Sequence, residues 1–374
     1  MSKNDSDDNE KLFPDISVVG TFFASTLGSF FKKTSTAVSN FFVDKVTFDG
    51  NDDDSSLICH YLLNCDYNKV QQICCFGIPR KVRGFVWYAL LLKPEDANDI
   101  RNLHNPIQHK RYWQNVTDNT IETTDKLNAE DAEVIDWDVA RTYPIGYDRL
   151  FQLDVLRTML RRILRMFLYF HPHGYFQGLN DIVSIAIIVL LDMYTKQQLT
   201  EEKIIEIPLQ KMKQIESSSY AFLEAIDVQL SVNIHSELKE IHAVGLMEDF
   251  ITTLKKMNSR ALELEEQILK QQTWRWFVCV FSREFKVEQV IMIWDRLVSD
   301  PRANGFRQGI VCMAAAIIES VLMGINDLKD IEQINSINRN YWKNIDDIAF
   351  SKILNKAIEI RVNLFQRKPQ RSIL

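Results

Sequence analysis

A chain of 374 residues that is 46% hydrophobic can bury one large core, and its 12 glycines and 9 prolines are too sparse for a loop-rich or all-β protein. The formal net charge of −6 argues against a generally basic nucleic-acid footprint, so any basic surface must be local and nucleic acid is not an expected partner. The six cysteines (Cys59, Cys65, Cys74, Cys75, Cys279, Cys312) form no CxxC pair and no Cys/His metal spacing, which points to a reduced, intracellular chain without structural zinc.

Residues 1–12 are polar and acidic, the composition of a disordered tail rather than of a basic-then-apolar secretory signal. The "NVT" sequon at Asn115 is then a chance match. Residues 13–46 differ. At helical period Val19, Phe22, Phe23, Leu27, Phe30, Phe31, Val38, Phe41 and Phe42 share one face, opposite Thr21, Ser25, Ser29, Lys32, Thr36 and Ser39. Bulky aromatics facing a Ser/Thr surface suit an amphipathic helix over 13–43 that inserts into loosely packed, curved membrane. The same pattern suits a helix docked on its own domain or on a partner, and both readings stand. Ser, Thr and Lys interrupt the apolar run well before the ~20 residues that a spanning helix needs.

Residues 47–69, with "DGNDDDSS" at 49–56, form a hydrophilic linker and a lead-in helix. From about 57 onward apolar residues recur at three- and four-residue spacing, predicting helices over 150–170, 179–194, 218–231, 237–256, 261–284, 287–298, 307–323 and 346–366. The unbroken "IVSIAIIVLL" at 182–191 is too short for a bilayer and predicts a central core helix. Residues 95–133 are the largest polar interruption and 200–215 a smaller one, while 366–374 form a basic tail. The fold class expected is all-α.

No GxxxxGK[ST] loop, GxGxxG turn, HExxH or GxSxG is present, so the chain carries no known nucleotide loop, metalloprotease helix or nucleophile elbow. His171 and His173, beside Pro172 and Gly174, are expected to cap the end of a helix rather than to act as an acid/base pair. Arg157, Arg161 and Arg165 lie at i, i+4, i+8 opposite Leu153, Leu160, Ile163, Leu164 and Phe167. They are expected to form a solvated face with scattered ion pairs, the alternative being an attachment surface for an acidic partner or membrane. Arg141 in "VIDWDVARTYP", taken alone, is half of an ion pair with Asp136 or Asp138.

Read together, three stretches change that: "GIPRKVRGFVWYALL" (77–91), "IDWDVARTYP" (135–144) and "GYFQGLNDI" (174–182). They strongly resemble the TBC-domain family of GTPase-activating proteins for Rab GTPases. The I-x-x-D-x-x-R-T motif is complete in Ile135, Asp138, Arg141 and Thr142, and Y-x-Q in Tyr175 and Gln177. The opening motif matches through Gly77, Ile78, Pro79, Arg83, Gly84 and Trp87. Later segments match through Arg275, Trp276, Arg283, Glu284, Phe285, Trp294 and Asp295. Departures are small: Phe176 fills the variable place, and Leu179 stands where Met or Ile is common. The likeness runs from about 70 to about 360, within a domain drawn at 70–365, with 95–133 as a variable insertion; it says nothing of 13–43.

The resemblance implies a multi-helical TBC fold and an activator that binds a Rab–GTP–Mg²⁺ complex and supplies two groups in trans, so GTP and magnesium belong to the Rab and the chain has no cofactor of its own. Arg141 is the implied arginine finger and Gln177 the implied glutamine finger, with Asp138, Thr142, Tyr175, Asn180 and Asp181 in support. Asp138 is expected to hold the Arg141 guanidinium, Thr142 to fix the backbone, Tyr175 to pack or hydrogen-bond beside the GTPase switch regions, and Asn180 and Asp181 to cap the core helix. The chain is not itself expected to be a hydrolase. Its expected setting is vesicle trafficking, in the cytoplasm and peripheral on an endomembrane (Golgi, ER or endosome). A catalytically silent scaffold that only docks a GTPase is the alternative; an independent hydrolase using His171 or His173 lacks a nucleophile or metal set.

Overall fold

The computed structural model describes residues 53–75, 77–117, 129–171, 175–195, 199–230, 241–302, 304–325, 327–328 and 342–365. The acidic tail, the 13–46 segment, His173 and the basic tail 366–374 lie outside the described residues. Those that are described contain helices and turns and no strand.

The helices in chain order are α1 (Asp53–Leu63), α2 (Tyr67–Cys74), α3 (Arg83–Leu92), α4 (Ala97–Asn102), α5 (Pro106–Thr117), α6 (Ala129–Ala140), α7 (Asp154–Phe170) and α8 (Leu179–Asp192). They continue with α9 (Glu201–Ile205), α10 (Leu209–Leu230), α11 (Ile241–Met257), α12 (Glu266–Val278), α13 (Val287–Val298), α14 (Gly305–Leu322) and α15 (Asp347–Phe365). The "IVSIAIIVLL" run forms most of α8, whose residues 179–191 are buried on every side. A helix without a polar face must be wrapped. Here α3, α6, α7, α10 and α13 all pack on it.

The α7 pattern resolves as its period predicts. Leu156, Met159, Leu160, Ile163, Leu164 and Phe167 are buried. On the other side, Arg161 and Arg165 both bind Asp136 of α6, at 2.7 and 2.9 Å, so two arginines of the basic stripe pin α6 to α7. His171 accounts for the helix end: its backbone N–H and its Nδ1 each lie 2.9 Å from the Phe167 carbonyl. α14 is long and apolar enough to cross a membrane, but 78% of it is buried in the protein, and it packs against α11, α13 and α15 as a second core helix.

Three expectations about elements change. The 95–133 interruption holds α4, α5 and the start of α6, and it contributes to the core: Tyr112 donates to Glu216 Oε1 (2.7 Å), which Arg162 also binds, and Trp113 Nε1 donates to the Lys213 carbonyl. Polar composition misleads there because Glu216 is a buried acceptor that needs these donors. Over 200–215 the chain forms α9 and the first turns of α10 rather than a loop. The predicted 261–284 helix stops at Val278, where the chain reverses through Val280 (φ 46°) and Phe281 (φ 65°). "FVCVF" is buried throughout, and an unbroken apolar run carries no period to mark a helix end.

The opening and late motifs meet in space. Trp87 stacks on Trp294 with ring centroids 5.7 Å apart, and its Nε1 donates to Asp295 Oδ1 at 2.8 Å. Arg83 Nε binds the same carboxylate at 3.1 Å while its Nη2 donates to the Ile78 carbonyl. This knot is structural: it joins α3 to α13 beneath α8.

Candidate functional site

The site is built where α6 ends beside the start of α8. α6 stops after Ala140, and Pro144, which cannot donate a backbone bond, follows four residues on. Arg141 sits on that last turn, its backbone N–H bonded to the carbonyls of Trp137 and Asp138. Its Nε donates to the Trp137 carbonyl (3.2 Å) and its Nη2 to Asp138 Oδ1 (3.1 Å). The two ends of this pair differ sharply: the Arg141 side chain is 63% exposed and that of Asp138 only 4%.

Asp138 is the hub. Its Oδ1 takes Arg141, its Oδ2 accepts from the Tyr175 hydroxyl at 2.9 Å, and its carbonyl accepts from Thr142 Oγ1 at 2.8 Å. Thr142 in turn accepts from Asn180 Nδ2 at 3.0 Å, and Asn180 Oδ1 accepts the Gly178 backbone N–H at 3.2 Å. A continuous run of hydrogen bonds therefore connects the turn bearing Arg141 to the turn bearing Gln177. Gln177 is itself exposed and has no hydrogen-bond partner among the described residues.

Asp136, two positions before Asp138, leaves the other side of α6 and is taken by Arg161 and Arg165. Of the two carboxylates open to Arg141 in the sequence, Asp138 is the partner, and the guanidinium stays largely in solvent despite that pair. Trp137 and Tyr143 flank it, 54% and 50% exposed. Two half-exposed aromatics beside an exposed cation give the turn an apolar rim.

Two supporting roles need correction. Asp181 does not cap α8, and Asn180 bonds the N-cap residue's own N–H rather than the free N–H groups of the first turn. Gly178 is that N-cap and has no side chain to offer the first turn; Asn180 Oδ1 accepts the N–H of Gly178 itself while its Nδ2 donates to Thr142, and Asp181 Oδ2 receives Arg283 at 2.7 Å. Tyr175 faces inward: it is buried, and its hydroxyl is spent on Asp138, so it braces the hub rather than meeting a partner. Desolvation and the Asp138 charge raise the Tyr175 phenol well above its ordinary range, which keeps it a donor. The same burial pushes the Asp181 carboxyl up to about 6 although Arg283 pulls it down.

Arg283 and Gly178 belong to the site and carried no assigned role in the sequence reading. Arg283 follows the reversal at Val280–Phe281, which Trp294 Nε1 fixes by donating to the Val280 carbonyl at 3.0 Å. Gly178 has φ +122°, and a Cβ there would lie 2.9 Å from Val278 Cγ1. "SREF" and "QGL" were visible in the sequence, but only the tertiary approach of α12 to α8 gives them work. Among the described residues no three His, Cys, Asp or Glu side chains gather as a metal site would require.

The sequence profile of the Rab-GTPase-TBC domain matches residues 80–323, well over half of the chain. The chain belongs to this family. Its relatives include TBC1 domain family member 22B of Homo sapiens, 22% identical over 290 residues that cover 75% of this chain and 56% of that protein. GTPase-activating protein GYP1 of Saccharomyces cerevisiae is 26% identical over 238 residues, covering 62% of this chain and 37% of that protein. The chain thus spans little more than half the length of the first, and about a third of the second. Among solved structures, the Ypt/Rab-GAP domain of Gyp1p superposes with a TM-score of 0.61 at 20% identity, covering 87% of this chain and 98% of that one. At that identity the likeness establishes the fold: the all-α TBC architecture.

Proposed function

We propose that this TBC-domain chain accelerates GTP hydrolysis by a Rab-family GTPase in its GTP-bound state, inserting Arg141 and Gln177 into the partner's active site, and that it does so in vesicle trafficking. The observation that carries the reading is the pairing of an exposed arginine and an exposed glutamine, from segments 36 positions apart, on one buried hydrogen-bond network. Relatives named as GTPase-activating proteins in two yeasts support the class of activity.

The chemistry asks for these two groups. Phosphoryl transfer to water spreads negative charge over the phosphoryl oxygens, so catalysis is largely positioning and charge stabilisation. A guanidinium is always protonated and offers a fork of donors that fits phosphate. A neutral carboxamide, with an acceptor and two donors, can orient the attacking water. The nucleotide and its magnesium come with the GTPase as substrate. This chain contributes the charge, the water-orienting amide and the scaffold that holds both.

An arginine delivered in trans is worth about 10³–10⁵ in rate. Arg141→Ala and, separately, Gln177→Ala are expected to abolish most activation while leaving far-UV circular dichroism and the melting temperature near wild type, since both side chains are exposed. Single-turnover phosphate release across a panel of Rab GTPases measures it. Near-normal rates in Arg141→Ala would end the reading. A GTPase bound by the wild-type chain but hydrolysed no faster would leave a docking scaffold.

A further inference from the structure

Among the described residues only two tryptophan, tyrosine or phenylalanine side chains are exposed, Trp137 and Tyr143, and both stand beside Arg141. They reach the same side of the chain by different routes. Trp137 lies four residues before Arg141 on the water-facing stripe of α6, while Ile135, Asp138 and Val139 fill the buried face. Past the helix, exposure alternates residue by residue: Arg141 and Tyr143 point out, Thr142 and Pro144 point in. That is the pattern of extended chain, and a residue that precedes a proline, as Tyr143 does, is held extended by the ring that follows.

The patch has a rigid back. Asp136, next to Trp137, is held by Arg161 and Arg165 of α7, and Thr142, next to Tyr143, is held by the Asp138 carbonyl and by Asn180. The rings themselves are uncommitted: neither the Trp137 indole nor the Tyr143 phenol has a hydrogen-bond or ring partner among the described residues. Surface presented by a fixed backbone loses little freedom when it is covered.

The chemistry at Arg141 does not call for these rings. In the I-x-x-D-x-x-R-T pattern position 137 is a free place, and 143 lies beyond the last fixed one. A single exposed apolar side chain is ordinary. A tryptophan, an arginine and a tyrosine gathered on one braced turn are not, because these three residue types dominate the binding energy of protein interfaces. Half-exposed, each ring still offers roughly 100 Å² to a partner.

The position of Arg141 says which partner. Trp137 stands about 6 Å of helix rise from it, and a stable interface covers about 800 Å² on each side. A protein whose phosphates reach the guanidinium therefore covers the two rings as well, and such rings gain most from covering apolar surface.

We propose that Trp137 and Tyr143 are the contact by which the finger turn grips its GTPase: they pack on apolar side chains bordering the partner's nucleotide site and set affinity and choice among Rabs, while Arg141 and Gln177 set the rate. This assignment rests on the GTPase-activation reading.

Single-turnover hydrolysis by a responsive Rab, over a range of full-chain concentrations, separates the two jobs. Trp137→Ala keeps the backbone carbonyl that receives Arg141 Nε, and both rings are exposed, so the variants should fold. Trp137→Ala is expected to raise the half-saturating concentration about thirtyfold, the change that a hot-spot side chain makes; Tyr143→Ala raises it too, and both keep the wild-type rate at saturation. Trp137→Phe, which retains a ring, recovers most of the affinity. Because the contact is apolar, the ratio of wild type to Trp137→Ala is the same at low and high salt. Trp137 is also the one exposed tryptophan among the described residues, so the difference in acrylamide quenching between wild type and Trp137→Phe reports on it directly. A Rab loaded with a non-hydrolysable GTP analogue is expected to shield it.

If wild type activates the Rab and both alanine variants keep its half-saturating concentration, the proposal is overturned and the activation reading stands. A lowered rate at saturation with unchanged half-saturation would overturn it too, since the rings would then act through Arg141. So would quenching that the Rab leaves unaltered, or shielding that is present before any GTPase is added and disappears when residues 1–46 are removed, which would give the patch to the chain's own N-terminal segment. A wild-type chain that activates no Rab would remove the activation reading and this assignment with it.

Discussion

Replacing Gly178 with alanine tests whether the turn that carries Gln177 is fixed by contact with α12. Gly178 has φ +122°, outside even the left-handed well that asparagine or aspartate can adopt. Holding an L-residue there costs about 1–3 kcal/mol. The added methyl would also lie 2.9 Å from Val278 Cγ1, 3.0 Å from Cys279 Sγ and 3.3 Å from the Val278 carbonyl oxygen. A side-chain methyl can yield by a few tenths of an ångström, but the carbonyl at the end of α12 moves only with the backbone. Overpacking of this kind adds about 1–3 kcal/mol. The sum, about 2–6 kcal/mol, is a large share of the 5–15 kcal/mol that typically holds a domain.

The expected outcome is a destabilised protein, measured by urea unfolding, whose activation of a responsive Rab falls much further than its binding. The turn escapes strain by shifting Gln177, and a misplacement of about 1 Å can cost about 10²-fold in rate. Combining Gly178→Ala with Val278→Ala removes the Cγ1 contact and is expected to recover part of the stability while leaving the backbone strain. A Gly178→Ala protein as stable and as active as wild type would refute both the steric reasoning and the rigidity assigned to the turn.

Two further outcomes follow from other parts of the chain. Because the Asp181 carboxyl is raised to about 6 in the folded state, the native protein binds that proton more tightly than the unfolded chain does. Its contribution to stability is therefore full below about pH 4 and lost as pH rises through about 6, and Asp181→Asn, which cannot titrate, should remove up to about 3 kcal/mol of that fall; parallel stability–pH profiles for the two proteins would count against it. For residues 13–43, insertion into curved membrane predicts flotation of the full chain with small vesicles and much less with large ones, and no flotation once the segment is deleted. Equal recovery at both sizes would remove the curvature claim.

Much of the architecture was legible because burial follows period. The α7 stripe, the wrapped α8 and the positions of α13, α14 and α15 within a residue or two all come from apolar spacing. What the pattern missed was tertiary. Tyr112 and Trp113 sit in a polar stretch, and their partners Glu216 and Lys213 lie about a hundred positions away. In the site, the residue types were legible and the wiring was not. Asn180 and Asp181 are good capping residues at the start of a helix, and nothing local reveals that Asn180 also donates to Thr142 or that Arg283 takes the Asp181 carboxylate. Tyr175 pointed outward on paper because its acceptor, Asp138, lies 37 positions earlier and is buried.

The Arg141–Asp138 pair has a kinetic meaning on the proposed reading. An ion pair with one partner this exposed is worth about 0–1 kcal/mol. Even at the upper end the tethered arm outnumbers the free one by only about fivefold. That is a small handicap beside the 10³–10⁵ that an arginine in trans is worth, roughly. The resting contact narrows the search of a long, rotamer-rich side chain between encounters, and a phosphate that arrives can outcompete it without any rearrangement of the helices beneath.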